Sequence, residues 1–76
     1  IQSYRVLILD LTDVSRIGVT ATLAIERMVE EARSAGRTLF IAGANHTLEQ
    51  RLRQFGVEGV LRPSRLEALQ EAAQLI

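Results

Sequence analysis

The sequence predicts an α/β domain built on a parallel sheet. Two observations carry this expectation. The run Val6-Leu7-Ile8-Leu9 is apolar at every position, short and partly β-branched, as a strand buried on both faces requires. Strand-like and helix-like patterns then alternate along the chain in the order β-α-β-α-β-α, which implies parallel strands joined by right-handed crossovers. Strands added in one direction would put the helices on one face of the sheet.

The elements follow in order. The first strand runs to Asp10-Leu11, and Thr12-Asp13-Val14-Ser15-Arg16 reads as a turn-rich connection. From about Gly18 to Ala35, residues Ala21, Ala24, Ile25, Met28, Ala32 and Ala35 fall on one broad face at spacings of three and four. Glu26, Arg27, Glu30, Glu31, Arg33 and Ser34 cover the other side, and Gly36 stands where a helix-ending glycine belongs. Arg37 to Gly43 supplies a second strand. Thr47 and Gln50 fit a capping box for a helix that carries Leu48, Leu52 and Phe55 and stops at Gly56. Val57 to Leu61 is long enough for a third strand. Pro63 breaks the chain, and Ser64 with Glu67 forms a second capping box. The last helix is expected to turn Leu66, Leu69, Ala73 and Ile76 inward.

The 76 residues form one short domain, 1–76. A chain of this size buries only about 60% of the surface its unfolded form exposes. The strand with two apolar faces then needs a second cover, so an incomplete domain is expected, its other face closed by further chain or a partner. The opening at Ile1, without Met, fits a piece of something longer.

Composition narrows the function. There is no Cys, so no disulfide frame, thiolate metal site or cysteine nucleophile. There is no Lys, which excludes a P-loop and Schiff-base chemistry. Nine Arg balance nine acids, and only three residues are aromatic. That balance argues against nucleic acid, whose binding needs a basic face. No apolar run reaches the ~18 residues that would span a bilayer.

Candidate chemistry lies where parallel strands end. Asp10, Thr12 and Asp13 follow the first strand, and Gly43, Ala44, Asn45 and His46 follow the second. An acid near His46 is the pattern of a general base or half a metal site, and Asp10, Asp13 and Asn45 could hold a small ligand. The plainer reading makes Asp13 and Asn45 turn formers and His46 a solvated residue before a helix cap. No catalytic, metal or cofactor site is expected. The arginines mostly sit among glutamates, as in the Glu49/Arg53 pair. Arg51, Arg53, Arg62 and Arg65 crowd the C-terminal third and could face anionic lipid headgroups. Val19 and Leu23 fall opposite the Ala21/Ile25/Met28/Ala32 stripe, beside Glu26 and Glu30. Large apolar residues there suggest contact with something outside the domain.

Leu7-Ile8-Leu9-Asp10-Leu11-Thr12-Asp13-Val14, then Ile17-Gly18-Val19-Thr20-Ala21, then Gly36-Arg37-Thr38-Leu39-Phe40-Ile41-Ala42-Gly43, resembles the STAS family. That family includes bacterial anti-sigma factor antagonists and the cytoplasmic C-terminal domains of SulP anion transporters. The likeness extends through Leu52…Phe55-Gly56-Val57 to the Ser64–Leu69 tail. STAS domains usually begin with a strand pair ahead of the first strand seen here, so the resemblance implies a missing front.

Anti-sigma factor antagonists carry Asp-Ser-Ser/Thr-Gly at the start of the first helix, and a kinase phosphorylates the first Ser. Here Gly18, Val19, Thr20 and Ala21 stand in those places. Val19, at the phosphoacceptor position, has no hydroxyl, so the switch does not carry over; Thr20 keeps a hydroxyl at the third place. SulP-type domains vary more freely here. Gly18 to Glu26 looks most like cyanobacterial sodium-dependent bicarbonate transporters of that family.

The resemblance implies a non-enzymatic module on the cytoplasmic side of the membrane. It would act in dimerisation, assembly or regulation of an anion transporter. Its partners would be its own transmembrane domain and a second copy. Val19, Thr20 and Leu23 are the candidate contact residues, together with the uncovered face of the sheet. A free-standing regulator like the anti-sigma factor antagonists, without the phosphoacceptor, is the alternative.

Overall fold

The computed structural model describes residues 5–75. The elements run β1 (Val6–Asp10), α1 (Val19–Ser34), β2 (Thr38–Ala42), α2 (His46–Gln54), β3 (Leu61–Arg62) and α3 (Arg65–Leu75). The strands form one parallel sheet in the order β1-β2-β3. Val6 pairs with Thr38 and Asp10 with Ala42, while Ile41 and Ala42 pair with Leu61 and Arg62. The α/β class and the element order match the expectation.

Strand alternation sends side chains to two cores. Leu7, Leu9, Leu39 and Ile41 face α1 and α2, where Ile25, Val29, Ala32 and Leu52 close the main core. Val6, Ile8, Phe40 and Ala42 face the other way and meet Ala68 and Ala72 of α3. The two crossover helices therefore share a face, but α3 does not. It leaves β3 and folds back across β1 and β2, so the helices are not all on one face. The sheet face left open in the sequence reading is covered by the chain's own last helix.

Helix ends follow local chemistry. Gly36 at φ +70 ends α1, with its N–H donating to Arg33 O at 3.2 Å and the Arg37 N–H to Ala32 O at 2.8 Å. Gly56 at φ +84 ends α2 in the same way: its N–H donates to Arg53 O at 3.0 Å, and the Val57 N–H to Leu52 O at 2.9 Å. Both are Schellman turns, which need a left-handed residue after the helix. Val57 and Leu52 then pack together in the core, the apolar contact that accompanies this turn. That use of Val57 shortens the third strand. Gly59, at φ +79, bends the chain again, and pairing starts only at Leu61.

Three expected faces or caps shift. The buried side of α1 is Thr22, Ile25, Val29 and Ala32, with Ala21, Ala24 and Ala35 exposed. Alanine contributes little on burial, so Val29 outweighs the alanines in setting the rotation. The cap of α2 is Asn45, not Thr47: its side-chain oxygen accepts from the Leu48 N–H at 2.9 Å. In α3 the small residues Ala68 and Ala72 point inward, while Leu66 and Leu69 are 64% and 48% exposed and Ala73 is also exposed. Phe40 occupies the volume beneath α3, so close approach favours alanine there. Ile76 lies outside the described residues. Ser64 does cap α3, its Oγ accepting from the Glu67 N–H at 3.2 Å.

Candidate functional site

The loop from Leu11 to Gly18 positions the start of α1. The Leu11 N–H donates to Ala42 O at 2.8 Å, extending the sheet ladder by one bond, and the Val14 N–H donates to Leu11 O at 3.1 Å. Val14 and Ile17 pack against the main core. From the far side, Asn45 Nδ2 donates to Ser15 O at 3.1 Å, while its Oδ1 caps α2. One carboxamide thus ties the first loop to the start of the second helix. Thr22, fully buried, donates its hydroxyl to Gly18 O at 2.9 Å and closes the first turn of α1.

This frame turns Val19, Thr20 and Leu23 outward. Val19 is 55% exposed and Leu23 45%. They stand four residues apart, so they adjoin on one helix face. Gly18 caps the helix with extended backbone and no side-chain bond, and the first turn holds no acid. The helix start therefore presents an apolar pair and the Thr20 hydroxyl. Val19 offers no atom that could accept a phosphoryl group.

The strand-end candidates are engaged in structure. Asp10 Oδ1 accepts from both the Thr12 hydroxyl and, at 2.9 Å, the Thr12 N–H. Arg65 Nη1 stands 4.0 Å from Asp10 Oδ2. The Thr12 hydroxyl bond and then its N–H hold the Asp10 carboxyl below its ordinary range; desolvation opposes them, and the Arg65 charge adds the smallest lowering effect. Asn45 spends both ends of its amide on the backbone. Asp13 is exposed in the loop, and His46 is exposed as the first residue of α2. Among the described residues, no three His, Cys, Asp or Glu side chains gather as a metal would need. A cavity of about 200 Å³ lies instead at the opposite end of β2, lined by Val29, Ala32, Leu39 and Val60 with Arg33 and Arg37.

The four C-terminal arginines divide between elements. Arg51 and Arg53 ride on α2. Arg62 forms a two-pronged bond to Glu71, Nε to Oε1 at 2.6 Å and Nη2 to Oε2 at 3.0 Å. Its guanidinium also lies 4.6 Å from the centre of the Phe40 ring. That bond holds the Glu71 carboxyl below its ordinary range.

Sequence reasoning missed the Asn45 tie and the Arg62–Glu71 clamp. The first had a usable signal, since Asn ranks above Thr as a helix cap. The clamp joins residues nine apart on different elements, a spacing with no local signature. No helix among the described residues is long and apolar enough to cross a membrane.

Residues 1–72 match the STAS domain family. The chain is also 39% identical over 77 aligned residues to the bicarbonate transporter BicA of Synechocystis sp.. That alignment takes in 95% of this chain and 14% of the transporter, so the chain spans a small part of its relative's length.

Proposed function

This chain belongs to the STAS domain family, and from that premise we propose that it is the STAS module of a SulP-type anion transporter. The anion is bicarbonate by likeness to its relative. The observation that carries this reading is 39% identity across almost the whole chain to the matching segment of a bicarbonate transporter. The module is not catalytic. It acts by protein contact, on the cytoplasmic side of the membrane, in dimerisation, assembly or regulation of the transporter.

The start of α1 supports contact over chemistry. Val19 and Leu23 are exposed on a helix start that is held from behind by Thr22 and Asn45. A rigidly placed apolar pair suits docking, because little freedom is lost when a partner arrives. A phosphorylation switch would need a hydroxyl where Val19 stands. The occupants proposed for this face are the transporter's own membrane domain and a second copy of the module.

A segment exchange tests the reading. The matching segment of the Synechocystis transporter is deleted, or replaced by this chain, and bicarbonate uptake and subunit association are measured in membranes. Deletion should lower both, and the exchange should restore them at least in part. Normal uptake and assembly after deletion would overturn the proposed role. The same exchange carrying Leu23→Glu should lose association while the protein still reaches the membrane.

A further inference from the structure

The geometry points to α3 as a helix latched over the Phe40 face of the sheet by two ion pairs, able to open while the rest of the domain stays folded. The apolar contact beneath it is thin. Only Ala68 and Ala72 of α3 belong to the buried cluster it shares with Phe40 and Ala42. Alanine offers one methyl group, so these contacts bury far less apolar surface than the Ile25, Val29 and Leu52 side chains on the opposite face. The larger side chains of α3, Leu66, Leu69 and Leu75, stay exposed and add little to its hold.

Charge supplies what packing does not. Arg62 of β3 grips Glu71 of α3 with two bonds, at 2.6 and 3.0 Å. The Arg62 side chain is 22% exposed and Glu71 48%, so the pair is only partly screened by water. Arg62 is itself held in place. Its Nη1 donates to Gly59 O at 3.1 Å and Leu61 O at 2.9 Å, and its guanidinium stacks on Phe40. A guanidinium fixed on three sides loses little freedom on pairing. At the start of the helix, Arg65 reaches toward Asp10 of β1 at 4.0 Å, a looser and more exposed pair. Among the described residues, the ion pairs across this joint are Arg62 with Glu71 at one end and Arg65 with Asp10 at the other.

Such a joint opens in response to ionic conditions, because salt and acid weaken ion pairs far more than they weaken an apolar core. Opening would bare Val6, Ile8, Phe40 and Ala42, a second apolar face that the closed domain conceals. The inference does not depend on the transporter reading.

Amide hydrogen exchange on the intact chain tests it. The amides of α3 should exchange by local opening, well ahead of those in α1 and β2. Glu71→Gln removes the charge and one of the two acceptors of the clamp and leaves Arg62 on Phe40. It should speed exchange in α3 by about tenfold with α1 unchanged. In the unmodified chain, raising salt to about 1 M should move α3 in the same direction. Exchange of α3 and α1 at one common rate, before and after the substitution, would overturn the latch. So would an α3 rate indifferent to both Glu71→Gln and salt.

Discussion

Gly43 sits against Thr12 so closely that it has no room for a side chain. A Cβ at Gly43 would overlap the Thr12 hydroxyl and lie 3.2 Å from its Cα, and the Gly43 backbone is left-handed at φ +73. The contact matters because the Thr12 hydroxyl is already bonded to Asp10. Gly43→Ala should therefore cost about 1–3 kcal/mol, combining strained backbone and a steric clash. The shift in urea midpoint measures it. A value near zero would mean that the two loops slide apart freely.

Asn45 is expected to outweigh an ordinary cap. Replacement by Ala removes the acceptor for the Leu48 N–H and the donor to Ser15 O together. The loss should be about 1–2 kcal/mol, at the upper end for a cap. Asn45→Asp separates the two roles. It keeps the cap but sets a carboxylate oxygen against the Ser15 carbonyl, so it should fall between Asn and Ala in a thermal melt.

The rotation of α3 gives a paired test. Ala68 is fully buried, whereas Leu69 beside it is 48% exposed. Ala68→Leu should destabilise by about 1–3 kcal/mol through overpacking against Phe40. Leu69→Ala should stay within about 0.5 kcal/mol. The reverse ranking in chemical denaturation would mean that the leucine stripe faces inward.

Val19→Glu and Leu23→Glu separate contact from stability. Both side chains are exposed, so each variant should melt within about 0.5 kcal/mol of the parent. Sedimentation of the same samples should show weaker association. A large loss of stability with unchanged association would instead make the pair part of the core.

Acid should weaken the domain through Asp10 and Glu71. Both carboxyls titrate below their ordinary range in the fold, Asp10 mainly through Thr12 and Glu71 through Arg62. A carboxyl with a lowered folded pKa adds stability that is complete above its unfolded pKa, about 4. That contribution disappears as pH falls through the lower folded value. The urea midpoint should be flat from about pH 7 to 5 and then decline. The decline should be shallower in Glu71→Gln, and an identical acid slope would remove Glu71 from the account.

The sequence made the alternation of elements legible because strand and helix periods differ, and it located Gly36, Gly56 and Ser64 because those residues act locally. It misplaced the helix faces where alanine and leucine compete. Counting apolar positions treats Ala21 and Val29 alike, although burial energy does not. The α3 face failed for a related reason, since the space under that helix is set by Phe40 from a strand about thirty residues earlier. Pattern reasoning did place Val19 and Leu23 on the outer side of α1, and they are exposed. It could not see Arg62 meeting Glu71, a contact that exists only after α3 folds back.

The parallel sheet also dictates how the chain can fold. Val6 finds its partner at Thr38, 32 residues later, and Ile41 finds Leu61 after a further 20-residue excursion. Among the described residues, no strand is paired with a neighbour through a hairpin. Each crossover must therefore close a loop before any ladder bond repays it, which slows the search for its native partners. Among the described residues, the partner that Val6–Asp10 pairs with is Thr38–Ala42, so that ladder waits until β2 is made.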